Sequence, residues 1–184
     1  MNEVLTTIKN RRSVRSYTRK QISQDELDQI IEAATYAPTA HNDQPWHFSV
    51  IQNAAVLDTI NERSRIGMLA TGNDWMTNMA SKPGFKVTYD APTLIIVSGK
   101  KDAMAMATDC AAAIQNMLLA AESLGIGSVW LGLTRFFALS EGARELIGIP
   151  EGYEYYYSVA FGYPEANVAR PAPKRNANVV NYVR

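Results

Sequence analysis

Asp90-Ala91-Pro92-Thr93-Leu94-Ile95-Ile96-Val97-Ser98 is the stretch on which the reading of this chain turns. From Thr93 to Ser98 it is a continuous apolar, β-branched run with no polar alternation, the pattern of a strand buried on both faces. A long helix is predicted next, because Ala107, Cys110, Ala111, Ile114, Met117, Leu118, Ala121 and Leu124 keep helical spacing. Gly125 follows as a natural terminator, since glycine enters the left-handed region without strain. Ser128–Leu131 reads as a short strand, and 141–147 as a helix ended by Gly148 and Pro150. Tyr153, Tyr155, Tyr157, Val159 and Phe161 alternate with Glu154, Tyr156, Ser158 and Ala160, a two-faced strand.

Upstream, Val4, Leu5 and Ile8 give a short helical pattern ending near Asn10. Ser23-Gln24-Asp25-Glu26 is a capping box, in which the serine oxygen takes a free amide and Glu26 reaches back to the Ser23 amide. Leu27, Ile30, Ile31 and Ala34 then line one helical face until Pro38 stops it. A strand is expected around His47–Ile51 and another helix at Val56, Leu57 and Ile60. Residues 64–90 lack a clean period and read as irregular or short-helical. Helices and strands mix without regular βαβα alternation, which predicts an α+β fold in one domain.

The formal net charge of zero is a cancellation between segments. Residues 1–20 hold six basic groups and one acid, and residues 166–184 hold four basic groups and no acid. Residues 21–165 hold eight basic and seventeen acidic groups, so both ends are cationic and the middle is anionic. With 47% apolar and 20% charged residues over 184 positions, the composition excludes disorder. No run of about 18 apolar residues is present to span a membrane. The start, 1–17, is polar and basic without an apolar core, so no secretory signal is expected. One cysteine, Cys110, makes no internal disulfide, which fits a reducing cytoplasm but also other compartments. His41 and His47 have no thiol near them, so no metal site is expected.

Two segments carry candidate chemistry. Arg11-Arg12-Ser13-x-Arg15 offers rigid guanidinium forks and a compact hydroxyl, the donors that match phosphate oxygens. A solvated basic surface and a nucleic-acid patch are the other readings, the last weakened by the lack of interleaved aromatics. Pro38-Thr39-Ala40-His41-Asn42-Asp43-Gln44-Pro45-Trp46 is a polar loop fixed at both ends by proline. Its Asn and Gln carry both donor and acceptor, as reading a heterocycle edge requires. The competing reading is a turn whose polar side chains satisfy only its own backbone.

These motifs in their order resemble the flavin-dependent nitroreductase family. The likeness starts at the Arg-Arg-Ser-x-Arg run and the capped helix ending Ala-Ala-x-x-Ala-Pro-Thr. It continues through Asn-x-Gln-Pro-Trp, 90–97, 109–124, Gly125-Ile126-Gly127-Ser128-Val129-Trp130-Leu131-Gly132 and Gly162-Tyr163-Pro164, nearly the whole chain. The resemblance implies a three-layer α/β/α domain with a mostly antiparallel central sheet, and a homodimer binding FMN at its interface. It places the FMN phosphate and ribityl chain at Arg11, Arg12, Ser13 and Arg15, with Lys174 and Arg175 returning to the phosphate from the other end. It places Pro38, Thr39, Ala40, Asn42 and Gln44 against the flavin of the other subunit, and Trp130, Leu131 and Gly132 beside the ring. Residues 167–184, with Val179, Val180, Tyr182 and Val183, become a tail that wraps the partner.

The activity implied is an NAD(P)H oxidoreductase that passes hydride through FMN to nitroaromatic, quinone or similar electron-poor acceptors by a ping-pong route. A flavin module for storage, sensing or fragmentation is the alternative. No protein nucleophile is expected, since the cofactor carries the chemistry. Two departures stand out. Where many family members have a Pro-x-Glu-Gly turn, this chain has Trp130-Leu131-Gly132-Leu133, which leaves the backbone but no glutamate. A lysine often found near the flavin N1/O2 edge has Lys82 and Lys86 as its nearest matches.

Overall fold

The computed structural model describes residues 2–168 and 171–184. Met1, Ala169 and Arg170 lie outside the described residues, Arg170 being one of the cations counted in the tail. The chain runs α1 (Glu3–Asn10), α2 (Gln24–Thr35), β1 (Trp46–Ile51), α3 (Ala54–Leu69), α4 (Asp74–Ala80) and β2 (Thr93–Lys100). It continues as α5 (Met106–Ser123), β3 (Gly127–Leu131), α6 (Arg135–Ala138), α7 (Ala143–Ile147) and β4 (Tyr153–Gly162). Among the described residues the sheet has the order β1-β2-β4-β3, with every neighbouring pair antiparallel.

β2 is central, and its residues from Thr93 to Gly99 are all buried, as a strand covered on both faces must be. On one face Ile95, Val97, Val159 and Phe161 meet Leu27, Ile30 and Ala34 of α2 and Ile114 and Met117 of α5. On the other, Leu94, Ile96, Val129, Leu131 and Ala160 meet Leu57 and Ile60 of α3, Phe137 of α6 and Ile147 of α7. The result is the expected α/β/α sandwich. A bulge between Val97 and Ser98 shifts the β2–β4 register, so Val97 faces Tyr157 while Ser98 faces Tyr155. That slip, by an extra residue in β4, breaks the tyrosine alternation: Tyr156 packs against the α2/α5 layer, and Tyr153 and Tyr155 against the other.

The capping box forms as expected, with the Glu26 amide donating to Ser23 Oγ at 3.3 Å and the Ser23 amide to Glu26 Oε2 at 2.7 Å. Gly125 takes φ +72° behind α5. Two readings gain detail. Residues 64–69 continue α3, and 74–80 form a capped helix on Asn73; a small satellite core of Met68, Ala80 and Val87 supplies the burial that the sequence hides. The 141–147 helix is confined to α7, and α6 precedes it; four residues are too few to show a period.

Candidate functional site

After α1 the chain turns extended and is stitched to the sheet at two places. Ser13 makes a parallel bridge with Ser128 of β3, and the Val14 amide donates to the Ser128 carbonyl at 2.9 Å. Tyr17 bridges Pro164 beyond β4, with the Thr18 amide donating to the Tyr163 carbonyl at 2.9 Å. Tyr17 also donates its hydroxyl to the Val14 carbonyl at 2.6 Å, bracing the segment internally. Gly127 makes the approach possible, because a Cβ there would lie 2.8 to 2.9 Å from Val14 side-chain atoms. The basic run is thereby fixed along the outer edge of β3.

Arg11, Arg12, Ser13 and Arg15 line a cleft of about 590 Å³, and Val168, Pro171, Pro173 and Arg175 close it from the other end of the chain. No carboxylate is among the described residues lining it, and none of its arginines takes part in an ion pair there. Arg12 also has a structural role, for its Nη1 donates to the Lys9 and Arg11 carbonyls at 2.7 and 2.8 Å, ending α1 with a cation where the helix dipole favours one. Its Nε is buried without a protein acceptor. Arg15 lies over the Tyr89 ring, 5.8 Å from its centroid. Clustered cations without counter-charge, with an orphaned guanidinium nitrogen and a serine hydroxyl, suit an anion with several acceptor oxygens. Lys174, next to Arg175, is exposed and does not line the cleft.

The two lysines matched to the flavin edge differ in their commitments. Lys86 bonds Asp90 at 2.7 Å and Asp58 at 3.2 Å, and Asp90 above all holds its ammonium above the ordinary value. Lys82 is exposed. Trp130 is half-buried and meets Tyr157 edge-on at 5.6 Å, while Leu131 is in the core at 5% exposure, leaving only its backbone for a ligand. Gly132 is open, with the Tyr157 ring 3.5 Å from where a Cβ would sit. Phe85 packs on the satellite core.

The loop 38–44 does not line that cleft. It leads from α2 to β1 and folds as a short 3-10 turn, Ala40–Asn42. His41, Asn42 and Gln44 have φ of 52°, 58° and 44°, left-handed values sparsely populated outside glycine. Gln44 Nε2 donates to Asn42 Oδ1 at 3.1 Å and the Gln44 amide approaches Thr39 Oγ1 at 3.4 Å, with both amide side chains exposed. Pro38 is exposed and Thr39 and Ala40 half-buried. Sequence reasoning missed Asp109, whose buried carboxylate accepts from the Ala40 amide. The bond goes to a backbone group 69 residues away, so no side-chain motif signals it. Among the described residues no His/Cys/Asp/Glu group is placed to hold a metal, and no helix is long and apolar enough to cross a membrane.

Known proteins share this fold. A nitroreductase of Bacteroides fragilis, solved with bound FMN, superposes with a TM-score of 0.92 at 36% identity, covering 100% of both chains. A protein of Archaeoglobus fulgidus, provisionally named NADH dehydrogenase/NAD(P)H nitroreductase, is 38% identical over 90% of this chain and 87% of its own. The Bacillus subtilis FMN reductase [NAD(P)H] is 28% identical over 99% of this chain and 74% of its own. Residues 8–163 match the model of the family described as Nitroreductase family. With its sandwich, its basic run on the edge of β3 and this match over most of its length, the chain belongs to the nitroreductase family.

Proposed function

We propose that this protein is an FMN-dependent NAD(P)H oxidoreductase that works as a homodimer. The observation that carries the reading is the cleft in which Arg11, Arg12, Arg15 and Arg175 converge without a carboxylate. Like charges gathered this closely repel one another unless an anion neutralises them, and the FMN phosphate is a dianion of the right size. Arg11, Ser13 and Arg175 hold the phosphate, and the orphaned Arg12 Nε gains an acceptor. Arg15, whose charge is not spent on a carboxylate, follows the cofactor toward its ring.

β3 supplies the next contact. It is an edge strand, Val14 covers its edge at Ser128, and among the described residues the edge from Trp130 to Gly132 has no strand beside it. Backbone groups there meet a flat ring system, while Leu131 anchors the strand in the core. Bound in this way, FMN supplies the hydride transfer, with NAD(P)H and an electron-poor acceptor such as a nitroaromatic or quinone using one site in turn. The chain needs no nucleophile of its own for such a reaction; its residues bind, orient and shield.

Pro38, Thr39, Ala40, Asn42 and Gln44 complete the site from the second subunit. Two surfaces support a dimer. α1 buries none of its residues and exposes Val4, Leu5 and Ile8 at 65%, 47% and 47%. The tail exposes Val179, Val180, Tyr182 and Val183 at 62% to 92%. Apolar surface of this extent calls for cover, and a partner subunit wrapped by residues 167–184 provides it. The single buried cysteine suits the reducing cytoplasm as the working compartment.

The test is direct. Protein incubated with FMN is freed of excess cofactor, then mixed anaerobically with NADH or NADPH while flavin absorbance is followed. Retained flavin that bleaches and recovers when an acceptor is added is the expected result. Absence of retained flavin refutes the proposal, and bound flavin that stays oxidised favours a storage or sensing module.

A further inference from the structure

Asp109 stands in the first turn of α5 and is 4% exposed. Its Oδ1 and Oδ2 accept from the Ala40 amide at 3.4 and 3.3 Å, and among the described residues it has no cation and no other hydrogen-bond donor. A carboxylate taken out of water with so little return is costly, even at the favourable end of a helix dipole. That cost has a counterpart in the loop. Among the described residues, the Ala40–Asp109 bond is the one hydrogen bond that ties 39–44 to anything beyond the loop and its own ends.

Inside that loop His41, Asn42 and Gln44 all occupy the left-handed region. Each carries a side chain for which that region is unfavourable, Gln44 more so than Asn42, so the loop has a drive to relax. We propose that Asp109 is a positioning residue for the cofactor loop: by holding the Ala40 amide it keeps Asn42 and Gln44 in the conformation that meets the flavin. The inference rests on the reading that this loop contacts FMN across the dimer interface. Asp109 itself touches no ligand; it acts through Ala40.

The test uses the full chain with Asp109→Ala, Asp109→Asn, Asn42→Ala and the double variant Asp109→Ala/Asn42→Ala. Amide hydrogen exchange at Ala40 in the cofactor-free protein reports the bond itself, and should accelerate in Asp109→Ala. FMN titration, followed by flavin fluorescence and visible circular dichroism, reports its consequence. Asp109→Ala should raise the FMN Kd about tenfold or more, with Asp109→Asn intermediate because its carbonyl oxygen still accepts from Ala40. The double variant should be no weaker than the weaker single variant, since both changes disable one unit. A general loss of stability would instead make the two effects multiply, and that result overturns the proposal.

Wild-type FMN affinity in Asp109→Ala alongside a weakened Asn42→Ala overturns it while leaving the loop's role intact. Wild-type affinity in both removes the loop from the cofactor site, and the proposal falls with its premise. Should Asp109→Ala not fold, Asp109→Asn carries the test: faster Ala40 exchange with weaker FMN binding supports positioning, and wild-type values refute it.

Discussion

Val14 fills the space that a side chain at Gly127 would need: a Cβ there would stand 2.8 Å from Val14 Cγ1 and 2.9 Å from Cβ and Cγ2. Gly127 has no left-handed backbone to accommodate, so its requirement is one of room. The contact sets how close the arginine run lies to the edge of β3. Gly127→Ala should therefore destabilise the fold by about 1–3 kcal/mol, as overpacking does. It should also weaken FMN binding, because the whole segment from Arg11 to Arg15 shifts outward. Denaturant unfolding and FMN titration measure the two effects, and Val14→Ala in the same chain should recover part of both.

The cationic ends make separable contributions. Arg11→Ala or Arg175→Ala should each weaken FMN binding by about 1.5–3 kcal/mol, the worth of a charge-assisted phosphate contact. Folding stability should change far less, since neither side chain is in an ion pair among the described residues. Lys174→Ala should have a smaller effect, because Lys174 does not line the cleft. Equal FMN affinity in wild type, Arg11→Ala and Arg175→Ala would remove the phosphate assignment.

Glu26 links acid stability to the fold. Tyr163 first, then the Ser23 backbone and side chain, donate to its carboxylate and hold it below the ordinary value. A depressed carboxylate stabilises the folded state fully above its unfolded range, about pH 4.3, and loses that contribution as the pH falls further through the folded value. The same bond raises the Tyr163 hydroxyl, so the contact persists upward until the pH passes above the ordinary tyrosine value of about 10. Tyr163→Phe should thus be less stable than wild type at neutral pH, with the gap closing below about pH 4. A gap independent of pH in urea unfolding would contradict this.

Cys110 should be inert. Burial above all, with the neighbouring Asp109 carboxylate adding to it, pushes its thiol up to about 12. Its side chain is fully buried in the layer between the sheet and α5. A disulfide reagent in mildly alkaline buffer should label the native protein only at the rate of unfolding, and label it at once in denaturant. Rapid native labelling would show that α5 opens locally.

What the chain dictates on its own is what repeats along it or sits within a few residues. Buried β2, the spacing of α5, the Ser23–Glu26 box and Gly125 are local signals, and each appears where the residues place it. The arginine run, the Pro-bounded loop and the α+β character are legible for the same reason, while the antiparallel sheet came only with the family resemblance. α6 is not, and α4 only as an unplaced short-helical stretch, since short helices are selected by what they pack against, here Phe137 in the core and Met68 with Val87 in a satellite. Only the folded chain could seat Val14 on Gly127, commit Lys86 to Asp58 and Asp90, and set Asp109 against the Ala40 amide. Those relations depend on register between distant segments and on backbone groups that every residue carries alike, so no pattern of side chains along the chain encodes them.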